Sequence, residues 1–177
     1  SATALELASR LETEIVSADS MQVYKYFDIG TAKPSKEIRK VIPHHLIDHI
    51  HPETAYSVQM FLDDVARIQS SHEPPFIICG GSAMYLKALL YGYTPLKRLP
   101  PNERPSGSPK SLWERLHQID PDLANKTPYQ NKVRVQRYLE LYMIYNQPPS
   151  ELFSSQPFDQ STYQVIGLSI EKEVLKE

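Results

Sequence analysis

The sequence has a single cysteine, a small net charge and no long hydrophobic run, and each of these excludes a class of protein. Cys79 is the single cysteine among 177 residues, so an internal disulfide and a multi-cysteine metal site are both excluded. The net charge of −2 excludes a uniformly basic nucleic-acid-binding protein and leaves a local basic patch as the alternative. No hydrophobic run approaches the roughly 20 residues of a membrane-spanning helix, and no signal-peptide pattern opens the chain. We therefore expect no membrane association and a reducing, cytoplasmic location.

Glycine is scarce as well, but hydrophobic residues and proline are not. The hydrophobic share of 41% is ordinary for a globular protein and sufficient for a core. The 15 prolines outnumber the six glycines and cluster at 95–109 and 148–157, which predicts two extended connections. We expect one α/β domain over residues 1–177, with a flexible, proline-rich, basic connection at 93–110.

Hydrophobic periodicity predicts helices and strands in alternation. Helices are predicted at 1–11, 35–40, 57–72, 86–91, 111–119, 130–145 and from 171 onward. Strands are predicted at 14–17, 76–79 and 163–170. On the helix at 57–72, we expect Asp63, Asp64 and Arg67 to form a solvated face. Strands that alternate with helices indicate a parallel sheet flanked by helices.

Two predicted strands end in polar turns. Asp19, Ser20 and Gln22 follow the first, and Gly80, Gly81 and Ser82 follow the second. Ligands bind at the carboxyl ends of strands in α/β sheets, and glycines let the backbone approach a ligand closely. The alternative for the first turn is an Asp-Ser pair that merely caps the next element.

Two further patterns have competing interpretations. His44 and His45 are adjacent, so their side chains point apart on an extended chain, and we favour a structural or substrate-lining loop over a metal site. Arg134 and Arg137 are three residues apart and share a helix face. That face is either solvated or a clamp for phosphate or the RNA backbone.

In combination, five segments resemble the tRNA dimethylallyltransferases, also called tRNA isopentenyltransferases. They are DSMQVY at 19–24, DIGTAKP at 28–34, PHHLID at 43–48, YS at 56–57 and GGSAMYL at 80–86. The resemblance implies a P-loop NTPase-like α/β core with a helical insertion. It also implies transfer of a dimethylallyl group from dimethylallyl pyrophosphate to N6 of the adenosine 3′ of the anticodon in tRNA.

The resemblance assigns roles residue by residue. Asp19 matches the general base, and Ser82 stands where the family usually has threonine and joins Asp19 as a catalytic residue. The residues expected to bind pyrophosphate or line the active site are Ser1, Thr31, Lys33, Gly80 and Gly81. Ser1 is also the expected Mg²⁺ ligand. Binding of tRNA falls to Asp19, Ser20, Met21, Gln22, Ser82, Arg104, Val133, Arg134, Val135, Gln136 and Arg137. In the last segment, Val133 replaces the family's usual glutamine.

The resemblance also predicts a core that is partial at both ends. Ser1 aligns with the last position of the phosphate-loop motif GxxxxGK[ST], so the first strand and that loop would precede it, and much of the helical insertion is expected to be missing. We expect a monomer. The alternatives are a P-loop kinase for a small molecule or nucleotide, an adenylate isopentenyltransferase acting on a free nucleotide, and a non-catalytic fragment that binds RNA or a partner.

Overall fold

The structure is a computed structural model that describes residues 2–72, 75–153 and 163–168. The described chain forms two compact units. Unit 1 comprises the described residues within 1–93 and 157–177, and unit 2 comprises those within 94–156. None of the described helices is long and apolar enough to cross a membrane.

Unit 1 contains a three-stranded parallel sheet in the order β2-β1-β3. Its strands are β1 (Ile15–Ser17), β2 (His44–His45) and β3 (Ile77–Cys79). Its helices are α1 (Ala2–Leu11), α2 (Lys36–Val41), α3 (Val58–Ser71) and α4 (Ala83–Tyr91). Helix α4 begins three residues before the predicted start. Strand β2 lies inside a predicted loop, because two residues are too short for a hydrophobic pattern to develop.

Strand β1 is the centre of the sheet, and all three of its residues are buried. Successive strand side chains face opposite sides, so Ile15 packs with α1 while Val16 packs with α3 and α4. Burial on both faces explains why Ile15 and Val16 are both apolar, and the buried Ser17 hydroxyl donates to Gln22. Helix α3 begins where predicted, since the Ser57 side chain accepts a hydrogen bond from the Met60 N–H at 3.2 Å.

One residue of the predicted solvated face of α3 is buried. Asp64 is 6% exposed and accepts hydrogen bonds from the Tyr56 hydroxyl at 2.7 Å and from His49 Nε2 at 3.1 Å. Arg67 lies 2.8 Å from its other oxygen. Burial, together with the Asp64 carboxylate, raises the pKa of Tyr56 well above its ordinary value. Asp64 therefore fastens the segment before α3 to the helix.

The strand predicted at 163–170 is wrong for its described part. Residues 163–168 form no strand. Val165, Ile166 and Leu168 are 58–66% exposed, so the alternating pattern has no core face to bury. Residues 169–170 and the helix predicted from 171 lie outside the described residues.

Unit 2 is helical within its described part. Its helices are α5 (Pro109–Ile119), α6 (Pro121–Asn125) and α7 (Lys132–Tyr145), with 3₁₀ turns at Pro101–Glu103 and Pro149–Leu152. Leu112, Leu116 and Leu139 form its core with Val135. The Trp113 indole nitrogen lies 2.9 Å from the carbonyl oxygens of Ala124 in α6 and Thr127 after it.

The tips of β1 and β3 are joined by backbone hydrogen bonds. The Ala18 N–H donates to the Cys79 carbonyl at 2.9 Å, and the Ser82 N–H donates to the Ala18 carbonyl at 3.2 Å. Gly80 lies between these bonds, and a Cβ built on it would come within 2.2 Å of the Ala18 carbonyl oxygen. A Cβ on Gly81 would meet nothing within 4 Å. The first glycine is therefore required by packing, and the second is not.

We expect Gly80→Ala to lower the free energy of unfolding by about 2 kcal/mol or more, because the backbone of two strands must move to admit the methyl group. Gly81→Ala is the matched control and should change it by less than about 1 kcal/mol. Urea denaturation of both variants measures the difference. Equal stability of the two variants would contradict the packing argument.

Candidate active site

Asp19 occupies the tip of the central strand and is held by the backbone that follows it. Its Oδ1 accepts hydrogen bonds from the Met21 N–H at 2.8 Å and the Gln22 N–H at 3.1 Å. Within the described part of the chain, Oδ2 accepts no hydrogen bond. One carboxylate oxygen is thus fixed in place while the other is available to a ligand.

Ser82 brings the second strand tip against the first. Its Oγ accepts a hydrogen bond from the Ser20 N–H at 2.8 Å, and it makes no side-chain cap on α4. The hydroxyl proton finds no acceptor among residues 2–72, 75–153 and 163–168, so it can be donated to a ligand. Burial raises the pKa of the nearby Tyr85, and Tyr24 and Asp19 add to the effect. Tyr85 therefore stays neutral beneath this pair.

Gln22 braces the loop that follows the site. Its Oε1 accepts a hydrogen bond from the Ser17 hydroxyl at 3.1 Å, and its Nε2 donates to the carbonyls of Thr31 and Ala32 at 3.0 and 3.2 Å. The Thr31 hydroxyl donates in turn to the Phe27 carbonyl at 2.6 Å. Both donors of the Gln22 amide are occupied, so this side chain positions the loop.

Lys33, which is predicted to line a pyrophosphate site, has its ammonium engaged within the protein. Its side chain is 3% exposed, and its ammonium donates to the Tyr24 carbonyl at 2.6 Å, Asp48 at 2.7 Å and Asp28 at 3.2 Å. A lysine has three donors, and all are used. Burial opposes ionisation of Asp48, but Lys33 and Arg39 outweigh it and lower the pKa of that carboxyl group.

In unit 2, Arg137 anchors the segment that precedes α5. Its guanidinium donates to the carbonyls of Leu96 at 3.0 Å and Lys97 at 2.7 Å, and to Glu140 at 2.7 Å. The Glu140 side chain is 3% exposed and also accepts a hydrogen bond from the Leu99 N–H at 2.5 Å. The connection predicted to be flexible is thus fastened to α7.

The same helix borders a basic groove, which we define as the cavity of about 490 Å³ in unit 2. Its basic lining residues are Arg98, Arg104, Arg134 and Arg137. Arg104 donates from Nε to the Leu99 carbonyl at 3.1 Å. Arg134 is exposed, and its guanidinium has no hydrogen bond or ion pair with the described residues. The groove therefore offers positive charge that the protein itself does not neutralise.

Comparison with known proteins identifies the chain. The sequence model of the family described as IPP transferase matches residues 22–177. The chain belongs to the IPP transferase family. It is 41% identical over 165 residues to the tRNA dimethylallyltransferase of Burkholderia cenocepacia, which covers 87% of this chain and 51% of that protein. It is 35% identical over 188 residues to the tRNA dimethylallyltransferase of Sulfurihydrogenibium sp., and this match covers 96% of this chain and 57% of that protein.

A solved structure of a eukaryotic dimethylallyltransferase acting on tRNA has the same fold. It superposes with a TM-score of 0.69 at 29% identity and covers 88% of this chain and 42% of the other. The predicted fold class, a P-loop NTPase-like core with a parallel sheet flanked by helices, is confirmed. This member of the IPP transferase family spans about half the length of the curated relatives it matches.

The predicted site residues of this IPP transferase divide into two groups. Unit 1 brings Asp19, Ser20 and Ser82 together around Gly80 and leaves Met21 47% exposed. Unit 2 places Val133 and Arg134 at the surface, while Gln136 donates to the Pro105 carbonyl at 2.7 Å. Val135 is fully buried and belongs to the core of unit 2, and its predicted part in RNA binding stays a prediction. Ser1 lies outside the described residues.

The sequence prediction missed Tyr85 and Glu140. Nothing local in the sequence around Tyr85 on α4 indicated the nearby Asp19 carboxylate, because the two residues are distant in sequence. Glu140 had a signal, since it follows Arg137 by three residues on a helix, a spacing that favours an ion pair.

Glu140 gives unit 2 a pH-dependent stability. Burial opposes its ionisation, but the hydrogen bonds from Arg137 and Leu99 and the charges of Arg137 and Arg104 outweigh it and lower its pKa below the ordinary 4.5. The unfolded state then binds the proton more tightly. The stabilisation is complete above the ordinary value and is lost as pH falls through the lower, folded-state pKa.

We expect Glu140→Gln to lower the free energy of unfolding by about 2–4 kcal/mol at pH 7, because Arg137 loses its charged partner. The difference from wild type should shrink as the pH is lowered below 4.5, which urea denaturation at several pH values will measure. Glu114→Gln, on the exposed face of α5, is the control. A difference that is constant with pH would show that the charge of Glu140 contributes nothing.

Proposed function

We propose that the protein containing this chain transfers a dimethylallyl group from dimethylallyl pyrophosphate to N6 of the adenosine 3′ of the anticodon in tRNA. The observation that supports this most directly is the Asp19 carboxylate, fixed through Oδ1 at the tip of the central strand with Oδ2 available. Membership of the IPP transferase family, whose matched relatives are named tRNA dimethylallyltransferases, supports the choice of reaction.

The reaction asks for a base, and Asp19 is suited to that role. The exocyclic amine of adenine is a weak nucleophile. As its N6 bonds to the allylic carbon and the carbon–oxygen bond to pyrophosphate breaks, one N6 proton must leave. Oδ2 of Asp19 accepts that proton, while the two N–H donors keep Oδ1 in place. The Ser82 hydroxyl, with its proton free, hydrogen-bonds a substrate atom beside the base.

The leaving group needs donors and positive charge, which the second strand tip can help to supply. Pyrophosphate departs with the bonding electrons, so stabilising its negative charge lowers the barrier. Gly80 packs against Ala18, whereas Gly81 faces open space and leaves the backbone just before α4 accessible to a phosphate oxygen. Mg²⁺ would neutralise the pyrophosphate charge. Ser1, Thr31 and the Asp19 carboxylate are oxygen donors of the type this ion takes.

The basic groove of unit 2 provides the RNA-binding function in this proposal. Arg134, Arg98 and Arg104 offer positive charge to phosphate, and the exposed Met21 and Ser20 border the base in unit 1. Adenine stacked in a loop must leave the stack to reach Asp19, so base flipping is the proposed entry. We further propose that the protein acts in the cytoplasm as a monomer.

Asp19→Asn should lower kcat for prenyl transfer by a factor of about 10² to 10⁴, because the amide cannot take up the proton. The variant keeps an oxygen that can accept the two backbone hydrogen bonds, so the turn should survive. Transfer of labelled dimethylallyl to an anticodon stem-loop RNA, using the protein as its gene encodes it, is the measurement.

Asp63→Asn, on the exposed face of α3, is the matched control and should leave kcat unchanged. AMP offered in place of RNA tests for a nucleotide-specific transferase, and labelled ATP with candidate acceptors tests for a kinase. Near wild-type turnover by Asp19→Asn would overturn its role as base. Modification of AMP but not RNA would overturn the choice of substrate.

Arg134→Ala should weaken RNA binding and reduce the slope of log Kd against log salt by about one, as expected when one phosphate contact is lost. Lys126→Ala, outside the groove in the same unit, is the control. Filter binding of the stem-loop at several salt concentrations gives the slope. An unchanged slope in Arg134→Ala would remove this residue from the RNA contact.

A further inference from the structure

We propose that Glu14, His45 and His72 form a binding site for a first-row transition-metal ion of the Zn²⁺ type, separate from the transferase site. One ligand atom from each side chain lies within 4.8 Å of the other two. His45 Nε2 lies 2.5 Å from Glu14 Oε2, and His72 Nε2 lies 3.7 Å from the same oxygen. The two imidazole rings meet edge to face with their centroids 5.1 Å apart.

These distances are close to those of a bound ion. A tetrahedral centre with bonds of about 2.0–2.1 Å holds its ligand atoms about 3.3 Å apart. The His72–Glu14 pair is within half an ångström of that spacing, and the His45–Glu14 pair needs to open by less than one. The ligand atoms of His45 and His72 lie within 4.8 Å of each other and must approach, and side chains that are 23–40% exposed have room to rotate.

The histidine tautomer at His72 also favours a metal. His72 Nδ1 lies 3.2 Å from the Ile68 carbonyl oxygen, which can only accept a hydrogen bond, and 2.9 Å from the Ser71 hydroxyl, which also lies 2.9 Å from the Arg67 carbonyl. When the Ser71 hydroxyl donates to that carbonyl, Nδ1 carries the proton and donates it to Ile68. Nε2 then presents its lone pair toward Glu14 and His45. A hydrogen bond from the distal ring nitrogen to a carbonyl is the usual arrangement that orients a metal-binding histidine.

The three ligands stand on three elements that are themselves fixed. Glu14 precedes β1, where its carbonyl accepts the Ile77 N–H of β3 at 3.2 Å, and His45 lies on β2 opposite Val16. His72 is the residue that ends α3. An ion held by all three would tie the end of α3 to the sheet. The preorganised backbone lowers the ordering that binding requires.

The donor set indicates the class of ion. Two imidazole nitrogens and one carboxylate oxygen suit Zn²⁺, with a water as fourth ligand, and do not suit Mg²⁺ or Ca²⁺, which take oxygen ligands. To bind the ion, His45 must present the lone pair of Nε2, so a proton on Nε2 moves to Nδ1 or to solvent. Glu14 lies five residues before Asp19, on the order of 16 Å along an extended strand, so the ion would not contact the transferase site.

The test uses metal-free protein prepared with a chelator and then titrated with Co²⁺, followed by its visible absorption, and with Zn²⁺, followed by calorimetry. We expect one equivalent of either ion to bind, and Zn²⁺ to raise the Tm of the protein. His72→Ala should weaken Co²⁺ binding at least about tenfold and abolish the Tm shift. His51→Ala, which removes an exposed histidine outside the cluster, should behave as wild type.

Glu14→Gln provides a second variant, so the outcome does not depend on the folding of His72→Ala, and the Tm of each metal-free variant checks that it is folded. Failure to bind one equivalent of Co²⁺ or Zn²⁺ would overturn the proposal, as would unchanged affinity in the folded variants. Each readout is binding or stability and not prenyl transfer, so this proposal and the proposed function fail independently.

Discussion

The close approach of Gly80 to the Ala18 backbone is the constraint on which the candidate active site depends. A side chain at Gly80 would overlap the Ala18 carbonyl, so only glycine lets the tips of β1 and β3 exchange backbone hydrogen bonds. That contact brings Ser82 within 2.8 Å of the Ser20 N–H. A carboxylate from one strand and a hydroxyl from the next thus share one edge of the sheet, although 62 residues separate their turns.

The sequence predicted this edge because its signals are local. An apolar run followed by Asp19, and another followed by Gly80 and Ser82, mark two strand ends, and parallel strands bring their ends to one edge. The same logic failed at 163–168, where alternation reported β propensity but not whether a partner strand or a core face exists. Alternation of apolar and polar residues therefore predicts a strand only when the fold provides both a partner strand and a core face to cover it.

The two arginines of α7, Arg134 and Arg137, have different roles that a sequence motif does not distinguish but their positions on the helix do. Both arginines match the family motif equally. Arg137, however, has Glu140 three residues later, and its guanidinium pairs with that buried carboxylate. Arg134 has no acidic residue at that spacing and remains at the surface. The spacing of acidic residues along α7 therefore distinguishes Arg137, which is held by Glu140, from Arg134, the candidate RNA contact. The carbonyls of Leu96 and Lys97, which also bind Arg137, are too distant in sequence to be predicted.

Hydrogen-bond accounting distinguishes scaffold from site where motif matching does not. Lys33 and Gln22 lie in the most specific segments of the resemblance, but all their side-chain donors form hydrogen bonds within the protein. Either side chain could donate to a ligand only by breaking one of those hydrogen bonds. Asp19 and Ser82 each keep one unfilled position among the described residues. The sequence favoured a loop over a metal site at His44 and His45 because no further ligand is close in sequence. In the structure His44 turns to the Ile42 carbonyl, whereas the groups beside His45 are Glu14 and His72, which are distant in sequence.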